Sequence, residues 1–190
     1  MRFAAAIILC GLVSGCAFSE VTVDVPYKAG PAERIANPGP VTLSVIDGRT
    51  EDRTRISTKT NGYGMEGGAI HSSRSVPDLV EEAVVTEMKT RGLSVAASGV
   101  PVSVTIRRFY CQYHTVEAVG DVVLEVSLKD RTGAQAFTQT YVGTSKLPVL
   151  IFNGTNAAET VAAALQDAIT KMFADKQFVD TLQQSRVALK

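Results

Sequence analysis

One amphipathic strand pair limits the architectures open to this sequence more than any other feature. Val122, Leu124, Val126 and Leu128 alternate with Glu125, Ser127 and Lys129. Asp130-Arg131-Thr132-Gly133 is a turn sequence, and Phe137, Gln139 and Tyr141 run back beside Thr138 and Thr140. A period of two sends alternate side chains to opposite faces, so the hairpin has one apolar face and one wet face. The apolar face has to be covered by a second layer.

Two more segments share this alternation. Val41, Leu43 and Val45 alternate with Thr42 and Ser44, and Val102, Val104 and Ile106 with Ser103 and Thr105. After Arg107-Arg108 the large side chains change parity to Phe109, Cys111 and Tyr113, which a β-bulge at the arginine pair explains. Helical periodicity supplies the covering layer. In residues 75–91, Leu79, Val80, Ala83, Val84 and Met88 share a face, with Ser75 and Asp78 as a capping-box variant, Pro77 in the first turn and Gly92 as the stop. Asn156 with Glu159 is read as the cap of a second helix, whose face is Val161, Leu165, Ala168, Ile169, Met172 and Phe173. Phe178, Val179 and Leu182 extend it after a break near Asp175. The expected fold is α+β: a single domain, a mixed but mainly antiparallel sheet of about four strands, and two helices packed on one face.

The amino terminus reads as a targeting segment. Arg2 precedes an apolar run over residues 3–13, too short to span a bilayer, which takes about 20 residues, but of normal length for a signal peptide. Val13-Ser14-Gly15-Cys16 resembles the lipobox of bacterial lipoproteins. The resemblance implies removal of residues 1–15 and acylation of Cys16, each buried methylene then contributing about 0.8 kcal/mol to membrane partitioning. Ala17, where an aspartate would favour retention in the inner membrane, implies by the same resemblance the outer membrane, with the protein facing the periplasm. Residues 16–40 hold four prolines and are read as the lipidated cysteine and a tether, with Val21, Val23 and Val25 able to add an edge strand. Fully extended, such a tether spans roughly 80 Å at about 3.3 Å per residue. Residues 41–190 are the expected α+β lipoprotein domain.

Charge and cysteine usage exclude several function classes. Lys+Arg and Asp+Glu both number 19, so there is no cationic excess to bind nucleic acid by counterion release. With Cys10 in the signal peptide and Cys16 acylated, Cys111 stands alone and is read as a buried core thiol. His71 and His114 are far apart and belong to no metal-binding array, and no Gly-x-Ser-x-Gly elbow is present. No catalytic residue, metal or cofactor is expected. The mixed-sign run Asp47, Arg49, Glu51, Asp52, Arg53 and Arg55 is read as a solvated face.

The anomalous segment is residues 48–74, which lack sustained periodicity. They contain Asn61-Gly62-Tyr63-Gly64-Met65, where Asn-Gly favours a tight turn and a short projecting hairpin. Glycines on either side of Tyr63 would present it outward, and Asn61, Tyr63 and Met65 are the candidate binding residues. A merely structural glycine-rich excursion is the other reading of this segment.

Together these pieces resemble the YajG-like family of uncharacterised bacterial lipoproteins. The resemblance rests on the lipobox, on Val45-Ile46-Asp47-Gly48-Arg49 leading to Ile56, and on Asn61-Gly62-Tyr63-Gly64-Met65. Phe109-Tyr110 and the helix opening Asn156-Ala157-Ala158-Glu159 add to it, over roughly residues 40–182. It implies an envelope lipoprotein with a small α+β domain and supplies no catalytic residues. The expected protein is non-catalytic, held to the membrane by acylated Cys16, and bound to an unknown envelope protein. The alternative is a binder of small molecules or cell-wall fragments in a sheet–helix cleft.

Overall fold

The computed structural model describes residues 19–50, 52–60, 65–130 and 132–187. Their order is β1 (Val21–Val23), β2 (Pro40–Asp47), β3 (Arg55–Thr60), β4 (Glu66–Ser72), α1 (Val76–Thr90), β5 (Ser94–Val95), β6 (Val100–His114), β7 (Glu117–Lys129), β8 (Gln135–Pro148), α2 (Gly154–Ala174) and α3 (Lys176–Val187). All eight strands join one sheet.

The spine is the strand pair read first from the sequence. β7 pairs antiparallel with β8 on one side and with β6 on the other. The far edge of β6 is shared. β2 runs parallel to its first half, from Val41 opposite Val100 to Asp47 opposite Ile106, and β5 lies parallel outside β2. β3 takes over where Ser57 sits opposite Cys111, followed by antiparallel β4 and parallel β1. The sheet therefore forks along β6, and the register shift between Ile106 and Arg108 lies at the fork. That shift is the bulge expected from the change in parity; Ile106, Phe109 and Cys111 are all fully buried across it.

The helices cover one face. Val104, Ile106, Leu124, Val126 and Leu128 meet Val80, Val84, Val161, Leu165 and Ile169 in a single core. The opposite face carries Ser44, Ser103, Thr105, Glu125, Thr138 and Thr140 and is wet. α1 begins as expected, with the Ser75 side chain accepting from the Asp78 amide. α2 begins earlier than expected: its cap is Asn153, and Asn156 is the reciprocal partner at the third helical position. The break at Asp175 is real, and it starts a third helix in place of an extension of the second.

The four-strand expectation is corrected to eight, and the sheet is partly parallel. β1 is the edge strand that the alternation of Val21 and Val23 allowed, whereas β3 and β4 lack apolar alternation. Ile56 is the sole large apolar residue of β3, and β4 holds Gly67 and Gly68 beside Ile70. Backbone ladders and buried polar contacts hold them instead, as when the Ser57 hydroxyl donates to the Cys111 carbonyl at 2.7 Å. In the described part of residues 16–40, Val21 and Val23 form the edge strand they offered, and the chain after it packs on the domain. β1 is built into the sheet, Val25 is buried, and Tyr27 and Gly30 hydrogen-bond to Glu87 of α1.

Candidate functional site

Most of the anomalous segment is the β3–β4 hairpin. Residues 61–64, where a tight turn is expected, lie outside the described residues, and with them two of the candidate binding residues, Asn61 and Tyr63; Cys16 lies outside them as well. Met65, the third candidate, is 56% exposed at the mouth of the hairpin. On the outer side of β4, the chain entering β1 comes close. A Cβ on Gly68 would stand 2.5 Å from the Ser19 carbonyl oxygen, so only glycine permits this approach. The Lys59 ammonium donates to the same carbonyl at 2.8 Å.

The charged run before the hairpin is not a solvated face throughout. Asp47 and Arg49 are almost fully buried in the fork. The guanidinium grips the Asp47 carboxylate through Nε and Nη2, both at 2.9 Å, and donates to the carbonyls of Arg53 at 3.0 Å and Arg55 at 3.3 Å. These bonds hold the Asp47 carboxyl below its ordinary pKa. The Asp-Gly-Arg string thus ties the end of β2 to the start of β3 where the ladder is interrupted.

Beside this clamp is an open cleft of about 380 Å³, lined by Gly48, Arg49, Thr50, Arg107, Arg108, Tyr110 and Gln112. Each of its arginines already has a carboxylate: Asp47 for Arg49, Glu125 at 3.0 Å for Arg107, and Asp121 at 2.6 Å for Arg108. Its positive charge is balanced within the site. A second hollow, of about 200 Å³, lies between Thr58, Glu66, Tyr110 and Tyr113. It is smaller than the roughly 300–1,000 Å³ usual for ligand pockets.

Cys111 is fully buried, and burial pushes its thiol pKa up to about 12, so it stays protonated and unreactive at neutral pH. His71 is hydrogen-bonded at 3.0 Å to the Thr54 hydroxyl, which itself donates to the Asp52 carboxylate at 2.7 Å, and His114 lies 3.3 Å from Gln112. Among the described residues no group of three or more His, Cys, Asp or Glu side chains is placed to hold a metal ion.

Sequence reasoning passed over three residues at the hairpin end of the sheet. Leu150 and Ile151, in the loop from β8 to α2, are 89% and 81% exposed, and Val116 of the β6–β7 turn is 53% exposed. The Val149 amide donates to the Val116 carbonyl at 2.8 Å, and Phe152 stacks on Tyr113 at 4.9 Å. The available signal was a pair of large aliphatics in a loop, directly before a helix cap, where neither strand nor helix periodicity asks for them.

A family model described as an uncharacterised lipoprotein matches residues 28–183. No curated protein matches the sequence significantly. Among solved structures, a Xanthomonas campestris protein carrying the family model DUF330 superposes with a TM-score of 0.64 at 18% identity, covering 88% of this chain and 99% of its own. An uncharacterised protein gives 0.52 at 8% identity, over 81% of this chain and 96% of its own. A hypothetical protein of Chlamydia trachomatis gives 0.50 at 8% identity, over 75% and 98%. At such identities these likenesses show a common fold.

Proposed function

We propose, from the premise that this chain belongs to the family of uncharacterised lipoproteins, that it is a non-catalytic lipoprotein of the outer membrane, facing the periplasm, which binds or scaffolds another component of the cell envelope. Family membership makes it a lipid-anchored envelope protein, the resemblance read from its motifs. Cys16 is the residue assigned to carry the lipid, on the strength of the Val13-Ser14-Gly15-Cys16 string. Ala17 supports the outer membrane as destination and its inner leaflet as the site of the anchor. Asn61, Tyr63 and Met65 are assigned to contact the bound component.

The observation that carries this reading is that Met65, Leu150 and Ile151, all exposed large apolar side chains, stand at the same end of the sheet. Exposed large apolar side chains gathered at one place mark interaction surfaces. The competing reading, a binder of small molecules or cell-wall fragments, has less support: the hollow beside Tyr110 and Tyr113 is only about 200 Å³, and the arginine-lined cleft is already neutralised.

The test places a photo-crosslinking amino acid at position 65 of the full-length protein in intact cells and compares the native sequence with Tyr63→Ala. Loss of a hot-spot tyrosine is expected to weaken capture by about 2 kcal/mol or more while the melting temperature holds. A lowered melting temperature with unchanged adducts would assign Tyr63 to the fold and overturn its role in recognition.

A further inference from the structure

We propose that the component met by this end of the domain is the bilayer itself: Met65, Val116, Leu150 and Ile151 form a seat pressed into the same membrane surface that holds the acyl chains of Cys16. The inference rests on the reading of Cys16 as the acylated residue.

Strand directions bring the anchor and the seat to one end. β6 runs toward the Thr115–Val116 turn, and β3 runs parallel to it, so Thr60 and the hairpin mouth stand level with His114. β4 leaves that end antiparallel to β3, and β1 runs parallel to β4 with Val21 opposite Ile70. Followed backward from Val21, the chain therefore heads toward the hairpin end. Ser19 is fixed there by Lys59 and by its close approach to Gly68.

Connectivity sets the distance. Cys16 precedes Ser19 by three residues, so its Cα lies within about 11 Å of that of Ser19. A single helix with its side chains is about 10–12 Å across, so this end stands no more than about one helix thickness from the lipid. Among the described residues, the two most exposed large hydrophobic side chains, Leu150 at 89% and Ile151 at 81%, are at this end with Met65 at 56% and Val116 at 53%, while Ile46 at 52% stands apart opposite Thr105. Lys146, ion-paired with Glu117, gives the patch a polar rim. A covalent anchor holds the patch at high effective concentration against lipid, so shallow insertion fixes the orientation of the domain without having to supply its affinity. The wet face of the sheet and the arginine-lined cleft then stand upright from the membrane, open to the periplasm.

The chain contains no tryptophan, so one introduced indole reports alone. The full-length acylated protein carrying Ile151→Trp is reconstituted into phosphatidylethanolamine–phosphatidylglycerol vesicles with and without brominated acyl chains. Thr132→Trp, in the β7–β8 turn at the opposite end, serves as the reference. Flotation is measured on the same samples. The expected result is that Ile151→Trp loses most of its emission in brominated vesicles and shifts to the blue, while Thr132→Trp is unchanged. Flotation with emission indifferent to bromine would overturn the seat and leave the anchor standing. A blue shift without quenching would show this end covered by another protein copy, and would overturn it equally. Failure of the native protein to float would remove the acylated-Cys16 reading, and this proposal with it.

Discussion

The Tyr27 hydroxyl donates to Glu87 Oε1 at 2.8 Å, joining residues 60 apart in sequence and closing the amino-terminal segment onto α1. Glu87 is 1% exposed, also accepts from the Gly30 amide at 3.2 Å, and is ion-paired with Arg91. Arg91 in turn lies 4.3 Å from the Phe173 ring centroid, over α2. One buried charge pair thus joins three parts of the fold. Burial and the Glu87 carboxylate together push the Tyr27 phenol well above its ordinary pKa, so it remains a donor at any pH the envelope meets.

Tyr27→Phe keeps the ring and removes the donor to a charged acceptor. The expected loss is about 1.5–3 kcal/mol, read from the urea midpoint at unchanged slope. Glu87→Ala leaves Arg91 buried without its partner and should cost more, about 3–5 kcal/mol. If the amino-terminal segment were a free tether, Tyr27→Phe would leave the midpoint where it is.

The Asp47–Arg49 clamp makes a prediction about acid. The folded-state pKa of Asp47 is depressed chiefly by the hydrogen bonds from Arg49. Its stabilisation is therefore complete above the unfolded value of about 3.9 and is lost as pH falls through the lower folded value. Asp47→Asn should be less stable at neutral pH, and its stability should fall less steeply than that of the native protein below about pH 4. Exposed Asp52 and half-buried Asp130 are also held low, by hydrogen bonds from Thr54 and Thr132 first of all, so the difference between the two curves is the informative quantity. Arg49→Lys should fail to restore the clamp, because an ammonium cannot span a carboxylate and two carbonyls at once.

Gly143 of β8 lies directly under α2. A Cβ there would collide with the backbone of Ala164 and Ala168. Gly143→Ala should force the helix off the sheet and cost about 1–3 kcal/mol, measurable by thermal or urea unfolding. Leu165→Ala, by contrast, opens a cavity next to the same strands, where Leu165 is 1% exposed, and should cost about 2–5 kcal/mol.

How far the sequence was legible follows from what each element is made of. β6, β7 and β8 bury one face and wet the other, so Val122 to Leu128 and Phe137 to Tyr141 announce their strands by alternation. Even the bulge at Arg107-Arg108 shows as a change of parity. β1 was offered by the alternation of Val21 and Val23, but β3 and β4 depend on neighbours for their ladders, and a buried Ser57 or Thr58 carries no hydrophobic signal. The helix start moved from Asn156 to Asn153 because both can cap; in the fold each side chain accepts from the other's backbone amide, with Asn153 at the boundary. Glu87 follows Ala83 and Val84 on the buried face of α1, yet a carboxylate there reads as surface until Tyr27 and Arg91 are seen around it. The candidate site was legible as a hairpin, whereas Leu150 and Ile151 reach the same end of the sheet only when the chain folds, since nothing local links them to Met65.

The most direct test of the central claim is metabolic labelling with a clickable palmitate analogue, comparing the native chain with Cys16→Ser. Acylation and cleavage both use the thiol. The native protein should take the label and begin at Cys16, while Cys16→Ser should remain unlabelled, uncleaved and in the inner membrane. Label retained on Cys16→Ser, or a native chain that matures elsewhere without lipid, would contradict the account.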